Sequence, residues 1–170
     1  MFVIQKISQH YNQEQDRIGQ TAQNAEGQVL LLWLTQRLAN LLVGTLSSWL
    51  DEDMKTELAG QSALVMHARE QMSAEAQLQL GQPLDPTTAL GEALVNTIDL
   101  ARSDNGYKLT FKWGLAGAAF LAFTAMELRQ WLSILHHLYD IAEWNKQVWP
   151  DWFSLSQKNS APATTHRLLH

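Results

Sequence analysis

His136, His137 and Asp140 are the obvious candidates for metal ligands in the chain. On a helix, His136 and Asp140 at i and i+4 project from the same side, with Glu143 one turn further, so an imidazole and a carboxylate could share a cation there. The same period supports a plainer account. Arg129, Ser133, His136, Asp140 and Glu143 together make a polar face opposite a Leu/Trp stripe, and a solvated, locally paired surface explains them without a metal. No cofactor is expected. His10 lies beside Tyr11 and near Glu14, and His67 lies near Arg69 and Glu70, but neither set belongs to a nucleophile motif. No serine sits in a Gly-x-Ser-x-Gly elbow, and the glycines never form Gly-x-Gly-x-x-Gly or a P-loop, so acyl transfer and phosphate cradling lack their local geometry. Cysteine is absent, which removes thiolate zinc sites, disulfides and a cysteine nucleophile.

The seven tryptophans carry more information. Trp33, Trp49 and Trp131 fall on expected core faces and read as packing. Trp149, Trp152 and Phe153 flank Pro150 and have two readings: an aromatic clamp folded back on the domain, or an exposed patch that binds a protein partner. Three exposed aromatics in succession would be a liability on a monomer, which favours the clamp. Asp16 and Arg17 read as a turn hydrogen bond or a surface ion pair.

The 170 residues amount to one ordinary domain. A hydrophobic share of 46% and a charged share of 17% exclude intrinsic disorder. The net charge of −5, with Lys and Arg scattered singly, argues against nucleic-acid binding. Met1 to Ile7 lacks the apolar core of a secretory signal, so a cytoplasmic location is expected. The longest uncharged stretch, Trp113 to Met126, falls short of the roughly 20 residues of a membrane span, and no membrane role is expected.

To position these residues the chain needs strands that run into helices. Alternation over residues 2–7, a polar turn at 12–16 and the segment 17–22 predict a hairpin. Val29 to Leu34 predicts a buried strand, and Thr35 a cap for a helix that ends at Asp51-Glu52-Asp53. Residues 54–80 predict an inserted helix with a weak stripe of Leu58, Val65 and Met72, with Ala68 and Ala76 between them. Asn105-Gly106 predicts a tight turn using positive φ angles, Tyr107 to Trp113 a clean strand, and Ala118 to Phe123 a third strand. Thr124 and Glu127 form a capping box for a helix ending near Trp144.

Shifting the sequence by 89 superposes Leu32, Leu34 and Thr35 on Leu121, Phe123 and Thr124, with the apolar helix positions following in step. The fold class is therefore expected to be α+β: two strand-strand-strand-helix halves (1–53 and 94–145) forming a largely antiparallel six-stranded sheet or open barrel, with the helix 54–80 inserted between them. The domain is expected to cover 1–153, with 154–170 a flexible tail. Asp16-Arg17-Ile18, Gly27 and Trp33-Leu34-Thr35-Gln36-Arg37 resemble a group of uncharacterised bacterial proteins with an Asp-Arg hairpin and a Trp-Leu-Thr-x-Arg helix start. The resemblance covers about the first 40 residues and implies no activity.

The expected function is a non-enzymatic protein-interaction or self-associating module. The alternative is a small-ligand-binding or enzymatic domain with a cavity between sheet and helices, where Tyr107, Lys108, Arg37 or the histidines would supply polar groups.

Overall fold

Two threonines mark the points where strand becomes helix. The computed structural model describes residues 1–57 and 63–159. Its elements are β1 (Phe2–Val3), β2 (Lys6–Asn12), β3 (Arg17–Gln23), β4 (Val29–Leu34), α1 (Gln36–Glu57), α2 (Ala63–Ala76), β5 (Glu92–Leu94), β6 (Thr97–Ser103), β7 (Gly106–Trp113), β8 (Gly117–Phe123), α3 (Ala125–Ala142) and α4 (Asp151–Asn159), with a 3-10 turn at Pro86–Thr88. Thr35 Oγ1 accepts from the Leu38 amide at 3.3 Å at the start of α1. At α3 the capping box is complete: Thr124 Oγ1 accepts from the Glu127 amide, and Glu127 Oε2 accepts from the Thr124 amide. Each cap satisfies an amide that has no partner within the helix.

The strands form two four-stranded sheets, ordered β1-β8-β7-β6 and β2-β3-β4-β5, in place of the expected six-stranded sheet or open barrel. The meanders β2-β3-β4 and β6-β7-β8 are antiparallel, but they do not join edge to edge. The chain just ahead of each meander instead crosses to the opposite sheet. Phe2 and Val3 pair in parallel with Ala119 and Phe120, and Glu92 to Leu94 pair in parallel with Leu31 to Trp33. Ile4 and Val95 are buried at the two crossings. The amides that follow, of Gln5 and Asn96, donate to Gln23 O and Lys112 O, respectively. Strands of two and three residues leave too little alternation to read in a sequence.

β4 is covered on both faces, as its uninterrupted apolar run requires. The chain after α2 lies along this sheet: the Leu84 amide donates to Ser8 Oγ and the Leu90 amide to Val29 O. β7 alternates, with Tyr107, Leu109 and Phe111 inward and Lys108 and Lys112 outward. The inner faces of the sheets share one core with Leu42 and Leu46 of α1 and Leu128, Leu132 and Leu135 of α3. The β6–β7 turn differs from the expected one. Of the Asn105-Gly106 pair only Gly106 has positive φ, at 134°, and a Cβ there would lie 2.2 Å from Phe123 O.

The helices depart from expectation in instructive ways. α1 runs past Asp51-Glu52-Asp53 to Glu57, because those acids have partners: the Arg102 guanidinium reaches Glu52 and Asp53, and the Tyr107 hydroxyl donates to Asp53. α2 buries His67, Ala68, Gln71 and Ala74, whereas Val65 of the expected stripe is 61% exposed. Leu58 lies outside the described residues, as do residues 160–170. Residues 154–159, read from sequence as tail, continue α4.

Candidate functional site

The polar face of α3 is where the chemistry-bearing side chains meet, and its Arg129 and His136 positions are covered, while Asp140 and Glu143 stay exposed. Arg129 and His136 are 5% and 1% exposed, because α2 and α4 pack over them. Sequence periodicity locates a polar stripe but cannot say whether a neighbouring helix covers it. Here the covering helices are matched to it by hydrogen bonds. Gln71 Nε2 donates to Arg129 O at 3.0 Å, Gln130 Nε2 donates to Ala74 O at 3.0 Å, and Ser133 Oγ donates to Glu75 Oε1 at 3.1 Å.

At the centre stand Asp51, His67 and Arg129, from α1, α2 and α3. Arg129 Nη2 lies 3.1 Å from His67 Nδ1, and His67 Nε2 lies 2.8 Å from Asp51 Oδ1. A guanidinium only donates, so Nδ1 accepts, and the ring proton sits on Nε2 facing the carboxylate. A catalytic triad also pairs a carboxylate with an imidazole, but there the carboxylate meets Nδ1 and Nε2 faces the nucleophile, whereas here the carboxylate meets Nε2. The other nitrogen, Nδ1, meets a cation instead of a hydroxyl. The set thus braces three helices. Trp152 completes it, stacked on His67 at 4.8 Å and 12° and lying under the Arg129 guanidinium at 5.1 Å. That contact offsets part of the cost of a buried cation, and the same burial lowers the Arg129 pKa.

The metal candidates His136 and Asp140 each have other neighbours. His136 stacks on Phe153 and meets Trp149 edge-on, while Asp140 pairs with Lys146 at the surface. Burial, with Lys146 nearby, pushes the His136 pKa down to about 4. Among the described residues no group of three or more His, Asp or Glu side chains could hold a metal ion. Trp149, Trp152 and Phe153 are 7%, 3% and 0% exposed. Asp16 accepts from the Tyr11 hydroxyl and Trp144 Nε1, both at 2.8 Å, which holds its carboxyl below the usual range. His10 lies over Gly19, where a Cβ would come 2.3 Å from its ring, and packs against Trp33.

Of the polar groups considered for a ligand cavity, Tyr107, Lys108 and Arg37 border open grooves. Lys108 borders an open groove of about 810 Å³ beside β1, β2, β8 and α3, floored by Ile4, Phe120 and Trp131 and rimmed by Gln5, Gln9 and Gln130. Tyr107 and Lys108 together border a second groove, at the β6–β7 turn. Arg37 borders a third groove, about 270 Å³, between α1 and β6.

That third groove runs beside a strand whose outer edge pairs with no other strand among the described residues. β6 is the last strand of its sheet, and its seven residues hold Ile98 and Leu100 toward α1, where Leu41 is 58% exposed. Sheet edges are commonly guarded by charge, but both charges of β6 turn away. Asp99 pairs with Lys112 of β7, and Arg102 bends onto α1, over Trp49 and against Glu52. Alternation reveals a strand without saying whether it lies at an edge, so this feature was out of reach of the sequence. No family model, curated protein or solved structure matches the chain. No helix among the described residues is long and apolar enough to cross a membrane.

Proposed function

We propose that this chain is a protein-interaction module that accepts an extended segment along β6. One observation carries the reading: a seven-residue edge strand with both charges engaged in surface ion pairs within the chain, next to an apolar groove lined by Leu41, Leu42, Ile98 and Leu100. Strand addition uses the unpaired backbone groups for affinity and adjacent pockets for side-chain choice. The Asp51–His67–Arg129 brace supports a non-enzymatic reading, because its imidazole faces a guanidinium.

Amide hydrogen exchange tests this. Protection at residues 97–103 is expected to rise either with protein concentration or on adding extended peptides of alternating Val and Thr. Leu41→Lys, a surface substitution, is expected to abolish the rise. If neither condition changes exchange along β6, the reading is wrong.

A second reading, a groove for a small apolar ligand, is favoured by the volume of about 810 Å³ and the apolar floor with an amide rim beside β8 and α3. Its test is a screen of apolar carboxylates and amides for a change in tryptophan fluorescence that Lys108→Ala and Gln130→Ala weaken. No change across the screen would remove this reading.

A further inference from the structure

We infer that the segment received by β6 is the β6 strand of a second copy of this chain, in an antiparallel two-fold pair centred on Leu100. The inference rests on the strand-addition reading and adds the identity of the partner.

A strand that pairs with itself across a two-fold axis places residues whose numbers sum to a constant opposite one another. With Leu100, the midpoint of Thr97–Ser103, on the axis, Asp99 faces Ala101, Ile98 faces Arg102 and Thr97 faces Ser103. No charge then stands directly opposite a like charge, an arrangement that would be destabilising. The central Leu100 pair lies on the α1 side of both sheets, with an exposed Leu41 from each copy beside it. The apolar groove of one copy is thus continued by that of the other, as an isologous interface requires.

The charges of α1 supply the second argument. α1 and β6 run the same way. Residues 37–45 line the groove with residues 96–100, while Trp49, Glu52 and Asp53 meet Arg102 further along. An antiparallel pair therefore brings the Arg37 end of one α1 toward the Glu52 and Asp53 end of the other, twice per dimer. Arg37 is exposed and makes no ion pair among the described residues, so its charge is available for that contact. The opposed helix dipoles add to the same preference.

Charge exchange tests the arrangement by sedimentation velocity of the full chain across the micromolar range. The unmodified chain is expected to dimerise, and R37E or E52K alone to weaken dimerisation by about tenfold or more, since each turns two attractions into repulsions. An equimolar mixture of the two variants, or both changes in one chain, is expected to restore it. Circular dichroism of each variant checks that the fold is retained. Dimerisation that neither variant weakens, or that the mixture does not restore, overturns the inference. A monomer at all concentrations also overturns it. If β6 amides of that monomer are still protected by an added extended peptide, strand addition survives with a different partner. If they are not, both readings fall.

Discussion

Acidification should destabilise the protein through His136, which lies under α4. This imidazole is 1% exposed, stacked on Phe153 at 5.4 Å and edge-on to Trp149 at 4.8 Å. Burial lowers its pKa from 6.5 to about 4, with Lys146 and His137 adding to the fall and Asp140 opposing it. The folded state thus resists a proton that the unfolded chain binds near pH 6.5. Stability is complete above that value, declines as pH falls toward about 4, and is flat below it with respect to this group. At about 1.4 kcal/mol for each pH unit, the full interval amounts to about 3 kcal/mol, a large share of a typical folding free energy. His10, also lowered by burial, acts in the same direction. Asp16, whose pKa is depressed from 3.8, matters only in more acidic solution. Urea denaturation at fixed protein concentration, followed by circular dichroism between pH 7 and 4.5, should show a loss of about 2–3 kcal/mol. His136→Phe keeps an aromatic ring in the stack and removes the titration, so its profile should be markedly flatter. An unchanged free energy across this interval, or the same slope in the variant, would refute the reasoning.

Two further substitutions probe the packing. Phe153→Ala should cost about 3–5 kcal/mol, because the ring is fully buried and stacks on Trp152 at 4.3 Å; thermal denaturation should show a fall of about 2–4 °C for each kcal/mol. A change below about 1 kcal/mol would mean that α4 is an appendage rather than part of the core. Gly106→Ala should cost about 2 kcal/mol or more, since a Cβ would lie 2.2 Å from Phe123 O at a φ of 134°. Wild-type stability would show that the β6–β7 turn has another conformation.

The sequence by itself determined the local structure, and the reason is that local signals are short-range. Thr35, Thr124 and Glu127 cap neighbouring amides. The unbroken run of β4 and the alternation of β7 state which faces must leave water. The stripes of α1 and α3 likewise name their buried residues, Leu42, Leu46, Leu132 and Leu135 among them. None of these signals depends on a distant partner.

Tertiary structure decided where each element went and what covered it. β1 and β5 are defined only by pairing with strands of the other half, through Ala119 and Phe120 or Leu31 to Trp33, so no local pattern announces them. The polar stripe of α3 looks solvated in isolation; Arg129 and His136 are buried because His67, Trp152 and Phe153 arrive from other helices with matching hydrogen bonds and rings. The open edge of β6 has the same origin. Whether a strand ends a sheet depends on which strands fail to reach it, and that is settled only when the whole chain has packed.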